Sequence, residues 1–287
     1  MKLGKINRQS IGISGFTSVL STIHTPPTEL FVAGTLPTDR KITVAIVGSR
    51  KPTPYGVEVT HKLAYELAKQ GIVIISGLAY GVDAIAHKAA LDADGTTIAV
   101  LGNSLPEIYP ASHAGLAETI VRKGGALVSE KLPGESTRHY DFLKRNRIIS
   151  GLADAIIVTE ATEKSGTLST IGHALDQNKE IFAVPGPITS LLSVGPNKLI
   201  QQGAHVALCA QDILDVIAPT LHIEQTQLPL GDTPLEVRII QLIKEGTRTP
   251  ELLMKELSPE SPSDLLQVLT MMELKGTIKL NGGRFSV

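Results

Sequence analysis

The chain has 287 residues with 42% apolar and 19% charged residues, a composition typical of a globular protein. Its formal net charge of −1 argues against a protein that coats nucleic acid by bulk basicity, so any DNA contact requires a local basic cluster. The single cysteine, Cys209, excludes a disulfide framework, and the absence of a signal peptide or a long apolar segment predicts a cytoplasmic protein without a membrane partner.

The first forty residues lack a regular pattern. Thr25–Pro27 is typical of a turn, and Leu30–Gly34 is typical of a short strand that follows it. We therefore predict that residues 1–40 form a short, mostly irregular N-terminal extension that packs on the core.

From residue 43 onward, apolar β-branched runs alternate with stretches of helical spacing. The predicted strands are Val44–Val47, Ile72–Ile75, Ile98–Leu101, Ala126–Val128, Ala155–Val158, Ile181–Val184 and His205–Ala207. The predicted helices lie near 56–70, 82–92, 113–123, 142–152 and 167–177. Continuously apolar strands that alternate with helices indicate βαβ units. We predict an α/β domain over residues 41–218 with a Rossmann-like, doubly wound, mostly parallel sheet.

A polar segment rich in proline and glycine, residues 219–233, predicts a linker to a small module over residues 234–287. Three helix-like stretches and an Asn-Gly-Gly turn between two strands are typical of a winged-helix module. Its third helix, Ser263–Lys275, contains Asp264 and Glu273 and is hardly basic. Contact with DNA and contact with protein therefore both remain open for this module.

Glycine-rich and polar loops follow the predicted strands of the large domain. The carboxyl ends of parallel strands gather ligand-binding loops, where glycines and helix N-termini let backbone amides approach a phosphate. Alternatively, these glycines only close tight turns. Three such loops on one sheet edge favour nucleic-acid binding, and their candidate residues are Gly48, Ser49, Arg50, Gly77, Gly81, Lys164, Ser165, Gly166 and Thr167.

The segment Arg138–Arg147 contains four basic residues and a phenylalanine. Arginine and lysine neutralise phosphates, an exposed phenylalanine can stack on a base, and asparagine can bond base edges. The predicted contacts are Phe142, Lys144, Arg145, Asn146 and Arg147. The alternative is a solvated helix start whose Phe142 packs into the core.

Motifs for common chemistries are missing. The sequence has no Walker-type phosphate loop, no dinucleotide-binding glycine fingerprint, no metal-ligand spacing and no nucleophile elbow. Asp83 and His87 are spaced as an acid–base pair, but an aspartate at a helix start is more often a cap. We therefore predict no catalytic residue, no metal and no cofactor.

Six stretches together resemble the DNA processing protein A family, also called DprA or Smf, over residues 25–287. They are Ala45–Arg50, Ser76–Leu91, Ile108–Pro110, Phe142–Ile149, Glu160–Leu168 and Val184–Gly186. The resemblance implies a Rossmann-like core, commonly with a winged-helix module, that binds single-stranded DNA, forms a homodimer and loads the RecA recombinase during natural transformation. It also implies that Arg50, Phe142 and Arg145–Arg147 line the DNA pocket.

An enzyme of similar fold, a nucleoside-monophosphate phosphoribohydrolase, is the alternative. Such enzymes carry a glutamate in the loop that corresponds to Lys164–Thr170, and here Thr170 occupies that position. Without this carboxylate the sequence offers no obvious general acid or base. A non-enzymatic function is therefore our prediction.

Overall fold

The computed structural model describes residues 5–10, 15–163, 165–221, 233–244, 246–247, 249–257, 262–274, 277–281 and 284–286. The chain divides into two compact units, Met1–Ile223 and Glu224–Val287. No helix in these described ranges combines the length and the apolar character needed to cross a bilayer.

The first unit is built on one nine-stranded sheet. Its strands are β1 Ile6–Ser10, β2 Glu29–Gly34, β3 Thr43–Val47, β4 Val73–Ser76, β5 Thr97–Leu101, β6 Ala126–Ser129, β7 Ala155–Val158, β8 Glu180–Ala183 and β9 His205–Val206. They lie in the order β1-β2-β6-β5-β4-β3-β7-β8-β9, and the seven strands from β6 to β9 in this order are mutually parallel.

Helices cover both faces of this sheet. They are α1 Pro54–Lys69, α2 Val82–Asp92, α3 Ala114–Arg122, α4 His139–Leu152, α5 Thr167–Asp176, α6 Val194–Gln201 and α7 Ala210–Ile217. Successive side chains of a strand point to opposite faces. Val44 and Ile46 accordingly pack into the core beneath α1, α2 and α7, while Ala45 and Val47 pack into the core beneath α4 and α5. The predicted doubly wound α/β fold is confirmed.

The N-terminal residues belong to the sheet itself. Strand β1 pairs antiparallel with β2, which in turn pairs antiparallel with β6. The prediction of an irregular extension is therefore wrong for residues 6–10. This strand, Ile-Asn-Arg-Gln-Ser, is a solvent-facing edge, and its polar residues give no apolar alternation from which to recognise it.

The order of the strands reverses beside β3. The chain moves from β3 outward through β4, β5 and β6 and then returns to β7 on the other side of β3. In open α/β sheets this reversal opens a crevice at the carboxyl ends of the two central strands. The loops after β3 and β7 therefore frame the expected ligand site.

The second unit contains α8 Pro234–Lys244, α9 Pro250–Leu257, α10 Pro262–Leu274 and an antiparallel pair, β10 Lys279–Asn281 and β11 Arg284–Ser286. Apolar residues of the helices, including Ile239, Leu253 and Leu265, form its separate core with Phe285. Residues 222–232 of the predicted linker, Lys275 and the turn glycines at 282 and 283 lie outside the described residues. The winged-helix assignment stays a prediction.

Candidate nucleic-acid interface

A cavity of about 310 Å³ lies at the point where the strand order reverses. Among the residues that line it are Val47, Gly48, Arg50, Asp83, His139, Phe142, Leu143, Arg145, Asn146, Ile149, Ser165, Gly166, Thr167 and Thr170. They come from the end of β3, from the loops after β3 and β7, and from α2, α4 and α5. The structure thus brings together eight of the fourteen residues predicted from the sequence.

A second, smaller cavity of about 40 Å³ shares a wall with the first. Both are lined by Arg50, Ala79, Phe142 and Arg145, and the smaller one adds Gly77, Tyr80, Tyr109 and Pro110. The two cavities therefore form one continuous depression along the carboxyl edge, with β7 at one end and the loop after β5 at the other.

One face of α4 forms the floor of the depression. Phe142, Arg145, Asn146 and Ile149 all line the larger cavity. Their spacing of i, i+3, i+4 and i+7 places them on a single stripe of an α-helix. Lys144 and Arg147 are off this stripe, and Nζ of Lys144 lies 3.5 Å from Oε2 of Glu130, with which Arg147 also forms an ion pair.

Neither Lys144 nor Arg147 lines either cavity, in contrast to their predicted role as DNA contacts. The run of basic residues gave no indication of which side of the helix each one occupies. Glu130, in the loop after β6, forms an ion pair with each side chain, and its single negative charge offsets one of their two positive charges.

Arg145 is buried beneath the depression and is only 8% exposed. Its Nη1 donates hydrogen bonds to the carbonyl oxygens of Gly77, at 2.9 Å, and of Val100, and its Nε donates to Oδ1 of Asn146 at 3.2 Å. Burial lowers its pKa to about 10, although the nearby charge of Asp83 acts in the opposite direction. Arg145 therefore holds the ends of β4 and β5 together, and much of its donor capacity is already used.

Asp83 organises the loop after β4. Its Oδ2 accepts hydrogen bonds from the backbone N–H groups of Gly77, at 3.0 Å, and of Ala79, at 3.3 Å. Burial raises the pKa of Asp83, while the charge of Arg145 and these backbone hydrogen bonds lower it. Asp83 thus holds the loop that precedes α2 in place, and it is not a helix cap.

His87 does not act as an acid–base partner of Asp83. The side chain is fully buried, and its Nδ1 lies 2.7 Å from Oγ1 of Thr97. Burial lowers the pKa of His87 to about 3, so the imidazole is neutral at physiological pH. His87 belongs to the core under α2.

The loops after β3 and β4 touch at Gly81. Its φ of +72° lies in the left-handed region, and a β-carbon there would be 2.3 Å from the carbonyl oxygen of Ser49. The same carbonyl accepts the N–H of Val82 at 3.1 Å. Gly81 and Ser49 therefore fix the backbone that carries Arg50, whose exposed side chain stands at the cavity wall.

The start of α5 closes the other side of the cavity. Oγ of Ser165 lies 2.9 Å from Oγ1 of Thr167 and accepts the N–H of Thr167 at 3.2 Å, while Oγ1 of Thr167 lies 3.3 Å from the carbonyl oxygen of Gly48. A helix N-terminus flanked by hydroxyl groups favours anions. The predicted contact Lys164 lies outside the described residues.

Phe142 is half-buried and packs closely on the loop after β5. A β-carbon at Gly102 would lie 2.6 Å from Cδ1 of Phe142, so glycine is required there. The ring centroid of Tyr109 is 5.2 Å from that of Phe142, and both rings line the smaller cavity. The geometry leaves part of Phe142 available to the depression.

Two exposed tyrosines line the smaller cavity and were not predicted as contacts from the sequence. Tyr109 is 58% exposed and Tyr80 is 49% exposed. The hydroxyl of Tyr80 accepts from Oγ of Ser112 at 3.1 Å, and its ring meets that of His113 edge-on at 5.0 Å. Aromatic residues make up only 3% of this chain, and each of these two tyrosines stands next to a glycine or a proline in a loop after a strand. These two features could have indicated both tyrosines as candidate contacts.

In the described ranges, no three His, Cys, Asp or Glu side chains cluster as metal ligands. Glu160, at the carboxyl end of β7, is buried, and its carboxylate accepts from the N–H of Thr53 at 2.8 Å and from its hydroxyl at 2.6 Å. This carboxylate therefore supports the start of α1.

The family model for DNA recombination-mediator protein A matches residues 10–218. Protein Smf of Escherichia coli is 45% identical over 196 residues, which cover 68% of this chain and 52% of that protein. The chain thus spans about half the length of that relative.

Two solved structures share the fold. DNA processing protein A of Streptococcus pneumoniae is 35% identical with a TM-score of 0.67, and the match covers 77% of each chain. The Helicobacter pylori protein, described for its single-stranded DNA binding mode, is 32% identical with a TM-score of 0.66, covering 77% of this chain and 100% of that one. The chain belongs to the DNA recombination-mediator protein A family.

Proposed function

We propose that this protein binds single-stranded DNA in the depression at the carboxyl edge of its sheet and acts, without enzymatic activity, as a recombination mediator. The proposal is carried by one observation: an exposed arginine, a helix N-terminus and a wall of aromatic rings all line the same open depression. Cations and amides suit phosphates, and aromatic rings suit unstacked bases.

Within this depression we assign the phosphate contact to Arg50 together with the start of α5, Ser165–Thr167. These groups face the same cavity from the loops after β3 and β7. The base contact is assigned to Phe142 with Tyr109 and Tyr80. Arg145 and Asn146 form the floor between the two sets.

Single strands fit this arrangement better than duplex. Bases in a duplex are stacked on each other and are not available to Phe142 or Tyr109. A depression formed by loops also lacks the protruding helix or ribbon that enters a major groove. The N-terminal unit is therefore assigned to unpaired nucleic acid.

The relatives also suggest partners. The family resemblance supports a role in the cytoplasm, in which the protein protects incoming DNA and loads the RecA recombinase during natural transformation, as a homodimer. Each of these partners is part of the proposal, since the chain covers only 52% of its Escherichia coli relative.

The phosphoribohydrolase alternative has little support in the geometry. Among the described residues of the larger cavity, Asp83 is the one carboxylate, and its Oδ2 is engaged by the amides of Gly77 and Ala79. Thr170 lines the cavity at the position where the enzymes carry glutamate. A base-release assay with nucleoside monophosphates tests this directly, and turnover would contradict the non-enzymatic proposal.

The primary test is fluorescence anisotropy with a labelled thymidine oligonucleotide and a labelled duplex, each at low and at moderate salt. We expect tighter binding of the single strand at both salt concentrations and a decrease in affinity with salt. Equal or tighter binding of the duplex would overturn the proposal.

A further inference from the structure

The loop after β8, residues 185–193, holds two apolar side chains out into solvent. Ile188 is 91% exposed and Leu191 is 79% exposed, the two highest values among the large apolar residues that the structure describes. Removing such side chains from water is favourable, so a ligand surface that covers both of them gains binding free energy.

This loop is firmly attached to the rest of the molecule. Its Gly186 exchanges two hydrogen bonds with the side-chain amide of Asn197, at 3.2 and 3.0 Å. Turns within it are closed by the N–H of Ser190 on the carbonyl of Pro187 and by the N–H of Ser193 on the carbonyl of Ser190. The exposure of the apolar pair is therefore a property of an ordered loop.

The loop also adjoins the depression. The carbonyl of Leu192 accepts the N–H of Ala161 at 2.8 Å, just after β7. The hydroxyl of Tyr55, which follows the Arg50 loop, donates to the carbonyl of Pro185 at 2.9 Å. Two separate contacts thus connect residues 185–193 with the loop after β7 and with the start of α1.

The loop after β3 carries two positive charges, the first of them at the cavity wall. Arg50 and Lys51 are both exposed and follow each other directly in the loop that leads to Tyr55. A polyanion bound at Arg50 is adjacent to Lys51 in this loop, and Tyr55, which follows the loop, contacts Pro185 at the start of residues 185–193. Charge complementarity and continuity with the cavity both favour a nucleic-acid occupant over an apolar protein surface.

We propose that Ile188 and Leu191 form a second contact for the same single strand, in which unpaired bases beyond the cavity pack on the two apolar side chains. This inference rests on the proposed function and extends the strand path toward β8. Apolar side chains are known to pack against unstacked bases in nucleic-acid complexes. Only strands longer than the cavity can reach this contact.

A tryptophan reporter tests the path directly, because the chain contains no tryptophan. Ile188→Trp in the full chain is titrated with thymidine oligonucleotides of about four and about sixteen nucleotides, the range of site sizes on single-strand binding folds. We expect the long oligonucleotide to quench the indole fluorescence and the short one to leave it unchanged. Anisotropy of labelled oligonucleotides reports cavity binding in parallel.

Leu175→Trp is the matched control. Leu175 is 61% exposed at the end of α5 and lines a separate groove with Glu180 and His205 at the amino ends of β8 and β9. Neither oligonucleotide should quench this reporter. If neither oligonucleotide binds the parent protein, the proposed function itself fails, which is a different result from binding without quenching at position 188.

A double variant, Ile188→Ser with Leu191→Ser, gives the energetic test. Affinity for the long oligonucleotide should fall about tenfold, and affinity for the short one should not change. The proposal is overturned if both affinities stay unchanged, if both fall equally, or if the indole at 188 fails to respond to a long strand that binds. A changed sedimentation coefficient of the double variant would assign the pair to a second copy of the chain and would equally overturn it.

Discussion

The backbone of Gly77 and the guanidinium group of Arg145 are in such close contact that no β-carbon fits between them. A β-carbon at Gly77 would lie 2.6 Å from both terminal nitrogens of Arg145. The guanidinium cannot simply move aside, because it donates to the carbonyls of Gly77 and Val100. The wall shared by the two cavities depends on this contact.

Gly77→Ala should therefore destabilise the protein. Overpacking of a filled core typically costs about 1–3 kcal/mol, and we expect a loss of this size in the free energy of unfolding measured with urea. Gly172→Ala is the control, since Gly172 lies in α5 and a β-carbon there meets nothing within 4 Å. That control should gain about 0.5–1 kcal/mol of stability. Equal effects of the two substitutions on stability would show that the Arg145 guanidinium moves away from the added β-carbon at little cost in free energy.

Arg50→Ala should weaken the binding of single strands and reduce the salt dependence of affinity. Arg50 is exposed and lines both cavities. Loss of one phosphate contact lowers the slope of log affinity against log salt by about one. Arg50→Lys should recover part of the affinity, because lysine keeps the charge without the planar fork. An unchanged slope in the folded alanine variant would remove Arg50 from the phosphate contacts.

Phe142→Ala separates a stacking role from a core role. Loss of a base-stacking ring typically removes about 1–3 kcal/mol of binding, whereas loss of a core phenylalanine removes about 3–5 kcal/mol of stability. Because Phe142 is half-buried and open to the cavity, we expect affinity to fall at least several-fold and the melting temperature to fall by only a few degrees. Phe142→Tyr should keep most of the affinity. A large fall in melting temperature with normal affinity would assign the ring to the core.

His87 should make the protein less stable in mild acid. Its pKa in the folded state is about 3, well below its ordinary value of 6.5, because burial disfavours the charged ring. Between these two values the unfolded chain binds a proton that the folded chain does not, so stability falls as the pH falls from 6.5 toward 3. At pH 5 the loss from this group is about 2 kcal/mol.

The measurement compares the free energy of unfolding at pH 7 and pH 5 for the parent protein, His87→Leu and His24→Gln. His24 is exposed and serves as the control. The leucine variant should lose less stability between the two pH values than the parent, and the His24 variant should behave like the parent. Identical pH dependence in all three would mean that His87 is protonated readily in the folded state.

The C-terminal unit should contribute little to single-strand binding. The exposed described residues of α10, which are Leu266, Gln267, Thr270, Met271 and Glu273, include no lysine or arginine. A chain that ends at Ile223 should therefore keep its affinity for a thymidine oligonucleotide within a few-fold. A collapse of affinity, with an unchanged circular dichroism spectrum of the first unit, would identify the second unit as a DNA contact.

The parallel part of the sheet could be predicted because its strands are buried on both faces. Short apolar, β-branched runs bounded by turn residues, as in Thr43–Val47, indicate such strands, and the intervening helices follow from their spacing. The sequence did not predict strand β1, because Asn7 and Arg8 face solvent at a sheet edge and leave no apolar alternation. Pairing with β2 holds this strand in place, and local sequence does not encode that pairing.

Eight of the fourteen predicted site residues line the larger cavity, and the departures have more than one physical origin. A run of basic residues indicates positive charge but not the helix face on which each residue lies. The stripe Phe142, Arg145, Asn146 and Ile149 follows helical spacing and could have been separated from Lys144 and Arg147 on that basis. The burial of Arg145 was not predictable, because its partners are backbone carbonyls of Gly77, just after β4, and of Val100 in β5, which meet α4 only in the folded chain.

The close approach of Gly81 to Ser49 has a consequence for the speed of binding. The loops after β3 and β4 are in contact, and Asp83 accepts hydrogen bonds from two amides of the loop after β4. This frame of two loops around Arg50 is therefore already ordered in the free protein. An incoming strand then has to order its own backbone and a few side chains, but no loop of this frame has to refold. The association rate constant should therefore be set by the frequency of correctly oriented collisions and should increase as the ionic strength falls. The binding kinetics should show no slow conformational phase.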